Sequence, residues 1–305
     1  MAQKYYPDSI ELDRTVKFNS DYVNFLFDHI NVKPDMIIVE PGCGTSFFIR
    51  KMAGIKYGFL SRLLRKIKKK NRIIGIDCDS KILHYGKEFV KAQGLSSIID
   101  LLVGDAYNMS LPDESADLVF SHLFLCNIKD PLKAIREMVR ITKKNGTVIA
   151  VEPYNSGNIY YEPNNEEYTR LQQKANTHYI EGYMNLYGGD LDIGPKIPSL
   201  FLESGLTDIE LYTYLSTFLP CDVRIPKPTR LLTQEEINRI MKSNEETFKE
   251  DKEVYIAGRL SPSDIEKMFN YESERIQKAL REGLNYKPGP SVTSFPNYLT
   301  IGKKM

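Results

Sequence analysis

The chain is 305 residues long, 42% hydrophobic and 27% charged, enough to bury a full core in one large domain or one domain plus a cap. A formal net charge of +1 excludes a global field for gripping a polyanion, so nucleic acid or an anionic membrane could be met only through a local patch. Four cysteines, Cys43, Cys78, Cys126 and Cys221, form no C-x-x-C pair, which argues against a metal site or a disulfide framework and for a reducing cytoplasm. The N-terminus lacks a basic start followed by an apolar run, and no apolar stretch approaches the length of a membrane span, so neither secretion nor membrane insertion is expected.

In chain order, a first helix carrying His29 precedes short isoleucine- and valine-rich runs that alternate with helical patterns. The runs are Met36 to Val39, Arg72 to Ile76, Ile98 to Val103, Ala116 to Phe120 and Thr147 to Val151. Each is apolar enough to be buried on both faces, as central parallel strands are. Between them the pattern predicts helices over Ser46 to Ala53, over Ser80 to Gln93 with Ser80 as N-cap, and over Asp130 to Thr142 with Pro131 in its first turn. Asn145-Gly146 reads as the turn into the fifth strand.

Past Glu152 the pattern changes. Tyr154 to Tyr187 is polar and tyrosine-rich and reads as a helical crossover. Pro195 to Ser204 reads as a helix closed by Gly205, Asp208 to Ser216 as an alternating strand, Pro220 to Pro290 as charged helix, and Val292 to Gly302 as a last strand. The expected fold is α/β, a Rossmann-like seven-stranded, mostly parallel sheet with helices on both faces and a helical cap. Its expected parts are a cofactor-binding core over 1–153, a crossover or lid over 154–190, a core helix and strand over 191–218, a cap insert over 219–290 and a terminal strand over 291–305.

The sharpest local signal is MIIVEPGCGTSFF, where a buried run ends in Glu40 and turns through Gly42, Cys43 and Gly44 into a helix. Glycines suit a backbone that must turn tightly and approach a ligand closely. The second strand ends in Asp77, followed by Cys78, and a carboxylate there can accept both hydroxyls of a ribose. The third ends in Gly104-Asp105-Ala106, so three successive strands finish with a carboxylate at the edge where open parallel sheets bind ligands.

With Glu40-Pro41-Gly42-Cys43-Gly44-Thr45, Gly75-Ile76-Asp77, Gly104-Asp105-Ala106, the LPDESADLVFSHLFLCNIKDP stretch and the GTVIAVEP strand, the chain resembles the class I methyltransferases that use S-adenosylmethionine, in particular their small-molecule, quinone-biosynthesis-like branch. The resemblance covers residues 20–155 and, more loosely, Gly189 to Leu211. It implies that Gly42 and Gly44 lie against the methionine part and ribose of the cofactor, that Asp77 binds the ribose hydroxyls, and that Asp105 with the backbone of Ala106 binds the adenine amino group. Glu40 would orient the loop, Cys43 and Cys78 would flank the cofactor, and Ser121 and His122 would face the methyl group. Two departures stand out: Ser46 replaces a third glycine often found there, and the link from Ala53 to Arg72 is long.

The implied reaction is an in-line displacement by a small-molecule acceptor. If a general base is used, His122 is the first candidate, then Glu152 and His178, by position. Tyr154, Tyr160, Tyr161, Tyr179, Tyr183 and Tyr187 are candidates to line an acceptor pocket. A nicotinamide dehydrogenase would want glycine at position 47, where Phe47 stands, and a closer acid than Asp77; a P-loop would want G-K-[ST] after the turn. A catalytically silent cofactor binder is the non-enzymatic alternative. The insert over 59–72 sets Phe59, Leu60, Leu63, Leu64 and Ile67 against a cluster of arginines and lysines, and reads either as a solvated surface helix or as a weak docking face for a membrane lipid, a quinone-bearing membrane or RNA.

Overall fold

A computed structural model describes residues 20–33, 35–53, 72–221, 234–285, 287 and 289–305. The insert over 59–72 lies outside the described residues except for Arg72, whose guanidinium pairs with Asp100 at 3.1 Å. The chain divides into two compact units. The first comprises Met1–Pro153, Ile193–Tyr214 and Asn297–Met305; the second comprises Tyr154–Asp192 and Leu215–Pro296. Segments 154–190 and 219–290, expected as separate crossover and cap, thus fall largely within one unit.

The first unit begins with α1 (Ser20–His29), which turns Tyr22, Leu26 and, just past its end, Ile30 into the core at four-residue spacing. Then follow β1 (Ile37–Pro41), α2 (Phe47–Ala53), β2 (Arg72–Asp77), α3 (Ser80–Ala92), β3 (Ile99–Val103), β4 (Ala116–His122), α4 (Pro131–Ile141) and β5 (Thr142–Pro153). Strands β1 to β5 pair in parallel in the order β3-β2-β1-β4-β5, and antiparallel β8 (Val292–Lys304) joins β5 from Thr147↔Lys303 to Pro153↔Asn297. The helix α6 (Ile197–Glu203) and the strand β7 (Leu206–Phe218), which pairs with β8, follow the excursion into the second unit.

Two local expectations are corrected. The N-cap of α3 is Asp79, not Ser80: its carboxylate accepts from the N–H groups of Lys81 at 2.8 Å and Ile82 at 3.3 Å, where a charged acceptor outcompetes the hydroxyl one residue on. Asn145-Gly146 is not a turn ahead of β5 but a bulge inside it. The ladder jumps from Ala116↔Thr142 to Leu118↔Thr147, and Lys143 reaches back to pair with Asp117 at 2.8 Å.

The second unit carries β6 (Ile159–Tyr161), an eighth strand with no counterpart in the expected seven, paired with Val292 to Ser294 of β8. Its helices are α5 (Glu166–Tyr187), α7 (Gln234–Ala257) and α8 (Pro262–Glu282). Helices α5 and α7 meet at glycines. A Cβ on Gly182 would stand 1.8 Å from the Val254 carbonyl oxygen, and one on Gly258 would stand 1.7 Å from that of His178. Around the crossing, Ala175, Leu260 and Ile265 form a small core with Phe248, Tyr255 and Met268, and Tyr168 stacks on Tyr271 at 3.7 Å.

Candidate active site

The bend after β1 has the backbone its glycines suggest. Gly42 and Gly44 hold φ of 68° and 52°, in the left-handed region, and Ser46 joins them at 64°. Serine therefore takes at Ser46 the conformation that glycine adopts without cost. A Cβ on Gly42 would lie 2.1 Å from Cδ2 of Phe124, so the bend and that ring are in direct contact. Glu40 is buried in the β1 ladder opposite Gly75, and the Cys43 thiol is buried against the same glycine.

The second tip reaches this bend. Asp77 Oδ2 accepts the N–H of Gly44 at 2.9 Å while Oδ1 accepts that of Asp79 at 3.0 Å, so both oxygens are oriented and each keeps accepting capacity. The third tip is adjacent: the N–H of Gly104 donates to the Asp77 carbonyl at 3.0 Å. Exposed Cys78 sits among these acids, its thiol pushed up by burial first and then by the charges of Asp77, Asp79 and Asp105. Asp105 is exposed and fixes its own turn, accepting from Tyr107 N–H at 2.8 Å, with Ala106 between them. Arg140 pins the loop beyond by donating to the Met109 and Leu111 carbonyls at 3.0 Å and pairing with Glu137 and Asp113. That guanidinium holds the Glu137 carboxyl below its usual range. Asp77 and Asp105 thus flank one thiol beside the glycine bend.

The fourth tip brings Ser121 and His122. The Ser121 hydroxyl is buried and has no hydrogen-bond partner among the described residues. His122 lies against Phe48, ring centroids 3.7 Å apart, and its Nε2 is 2.7 Å from the Tyr22 hydroxyl. Burial, with the charges of Glu152 and Tyr214 nearby, pushes that hydroxyl well above its ordinary value, so it keeps its proton. Tyr22 is absent from the sequence-based candidates. Only its place on a helix ahead of the bend could have marked it, because its partner stands 100 residues away.

The other two candidate bases are engaged by backbone. Glu152 is fully buried, and its carboxylate accepts the N–H of Phe124 at 3.2 Å, Leu125 at 2.9 Å and Cys126 at 3.2 Å. Burial still raises its carboxyl to about 7 against these donors. His178 belongs to the second unit, where its Nδ1 is 2.6 Å from the Gly258 carbonyl oxygen. The tyrosines named for an acceptor pocket belong to that unit too: Tyr160 donates to Asn176 at 3.0 Å, Tyr179 to Asp251 at 3.1 Å, and Tyr183 packs between Tyr179 and Tyr187. A cavity of about 930 Å³ opens elsewhere in the first unit, lined by Met36, Asp117, Lys143 and Thr147 at the amino-terminal ends of the strands, away from the four tips.

Residues 39–150 match the model of a family described as a methyltransferase domain. The demethylmenaquinone methyltransferase of Geobacillus kaustophilus (strain HTA426) is 24% identical over 224 residues, which cover 67% of this chain and 83% of that relative. Among solved structures, the YcgJ protein of Bacillus subtilis superposes with a TM-score of 0.53 at 14% identity, covering 94% of this chain and 99% of that one. Phosphoethanolamine N-methyltransferase 2 of Haemonchus contortus, in complex with phosphomonomethylethanolamine and S-adenosylhomocysteine, also scores 0.53 at 15% identity, covering 99% of this chain and 58% of that one. The last two likenesses concern the fold.

Proposed function

We propose that this chain is a class I S-adenosylmethionine-dependent methyltransferase that holds its cofactor across the tips of β1, β2 and β3 and methylates a small-molecule acceptor beside the tip of β4. The observation that carries this reading is the bond from the Gly44 N–H to Asp77 Oδ2, which joins the glycine bend to the acid of the next strand. The donor set fits such a ligand: left-handed glycines give close backbone approach, and an oriented carboxylate with spare lone pairs faces a diol.

When bound, S-adenosylmethionine supplies a methyl group on a good leaving group, so alignment and exclusion of water account for most of the acceleration. Asp77 takes the ribose hydroxyls, Asp105 and the Ala106 backbone take the adenine edge, and Gly42, Cys43, Gly44 and Cys78 border the cleft. Glu40, buried at the end of β1, would orient the bend. His122 is the proposed base, with Tyr22 setting its ring orientation and Ser121 beside it on β4. Glu152 and His178 are not assigned as the base, since both Glu152 oxygens and His178 Nδ1 are engaged by backbone groups.

The demethylmenaquinone methyltransferase relative makes a quinone-type acceptor the first to try, within a wider metabolite panel. A reducing cytoplasm is the proposed compartment, supported by four cysteines that are all free thiols. No helix among the described residues is long and apolar enough to cross a membrane. Weak membrane-surface contact through 59–72 is proposed from the sequence alone.

The test is calorimetric titration with S-adenosylmethionine and, in parallel, with NAD, followed by turnover on the panel. Micromolar binding of the sulfonium, none of the dinucleotide, and methylated product are expected. Binding of NAD alone would overturn the reading, and cofactor binding without turnover on any acceptor would favour a silent binder.

A further inference from the structure

The stretch after β4 is built like an anion-binding nest. Leu123 has a φ of 50°, in the left-handed region, which a side chain of its kind rarely adopts and only at a cost in strain. That twist leaves the next three amides, of Phe124, Leu125 and Cys126, converging on one point, and concave runs of successive N–H groups bind anions. The anion here is part of the chain: both oxygens of Glu152, at the end of β5, fill the nest, and the Cys126 thiol donates to the same carboxylate. The strand beneath is fixed independently, since Leu123 N–H donates to the Val151 carbonyl at 2.8 Å and the Asn127 amide donates to the Leu123 carbonyl at 2.7 Å. Phe124, first residue of the nest, lays its ring on Gly42 where a Cβ would be.

We propose that Glu152 is a positioning residue: by filling the nest it holds Leu123 in its strained backbone, keeps the Phe124 ring on Gly42 and so fixes one wall of the cofactor cleft. The inference rests on the methyltransferase reading for the nature of the cleft, while the grip itself rests on geometry alone. A buried acid gathering three amides is costly in stability, because burial disfavours its charge, and such a cost is retained where it sets a binding geometry. Other titratable groups that act on it are Tyr22 from α1 and the Cys126 thiol.

The experiment compares the wild type with Glu152→Gln, which keeps the shape but loses the charge and turns donors toward donors. Without cofactor, amide hydrogen exchange at residues 124–126 should quicken at least tenfold in the variant. The dissociation constant for S-adenosylmethionine should rise about tenfold, kcat at saturating cofactor should fall less than threefold, and the melting temperature of the free protein should hold or rise. A merely structural role would instead lower the melting temperature together with affinity, and that result overturns the proposal. So does unchanged exchange, unchanged affinity, or a hundredfold loss of kcat at wild-type affinity, which would make Glu152 the base. Phe124→Ala should weaken the cofactor similarly, and in the double variant the losses should not add. A wild-type chain that binds no S-adenosylmethionine would sink the cofactor reading and the cleft wall with it, while the exchange measurement would still judge the grip.

Discussion

The two units use close backbone approach for opposite ends. In the first, Gly42 and Gly44 turn the chain at a strand tip, Gly42 directly against the Phe124 ring, and the polar groups around them, Asp77 and Glu152, accept backbone amides. In the second, Gly182 and Gly258 close space between two long helices, and the polar groups nearby, His178, Tyr179 and Asp251, bind one another or a carbonyl. The same residue type therefore turns a backbone in one place and seats a helix crossing in the other. What separates the cases is the conformation: Gly42 and Gly44 have positive φ, and the two crossing glycines do not.

This contrast can be broken by substitution. Gly42→Val should have the largest effect, because a side chain there meets both an unfavourable φ and the Phe124 ring; cofactor binding should fall below calorimetric detection. Gly182→Val pushes against the Val254 carbonyl, which is backbone and cannot swing aside, and should cost about 3 kcal/mol, read as a lower melting temperature and faster exchange in α5 and α7. Retained amide protection in β1 to β5 is expected; if that protection collapses too, the two units do not behave as separate packing problems. Asp77→Asn removes a charged acceptor of two amides and should raise the cofactor dissociation constant about thirtyfold, in line with about 2 kcal/mol for hydrogen bonds to a charged group.

The smallest effect is a pH dependence. The Glu152 carboxyl is raised from 4.5 to about 7, so the native state holds its proton more tightly than the unfolded chain does. Its stability penalty is absent below about pH 4.5, grows as pH rises and is complete above about pH 7. The melting temperature of Glu152→Gln relative to wild type should therefore climb across that window and stay flat on either side. A gap that shrinks with rising pH would mean that the nest outweighs the burial.

Strands β1 to β5 were legible because apolar runs bounded by glycine and acid reflect burial on both faces, a local property. The acids at their tips were legible for the same reason, since a strand's end is where its apolar run stops. Legibility ended where a role depends on a distant partner. Tyr22 gains its place from His122, Phe124 from Gly42 and Glu152 from three amides of another loop, and none of those pairings leaves a periodic trace. Likewise β6, three residues long, owes its existence to Val292 to Ser294. The cap of α3 shifted by one residue because Asp79 and Ser80 are both good caps and only the geometry chooses between them.

Cys78 carries a chemical consequence of its own. An outward-facing thiol would ordinarily be among the first groups in a cell to meet peroxide, yet only the thiolate reacts. Burial first, and then the charges of Asp77, Asp79 and Asp105, push this thiol up and disfavour its thiolate. The carboxylates of Asp77 and Asp105, proposed to take a nucleoside, would thereby also guard the exposed thiol beside them against oxidation.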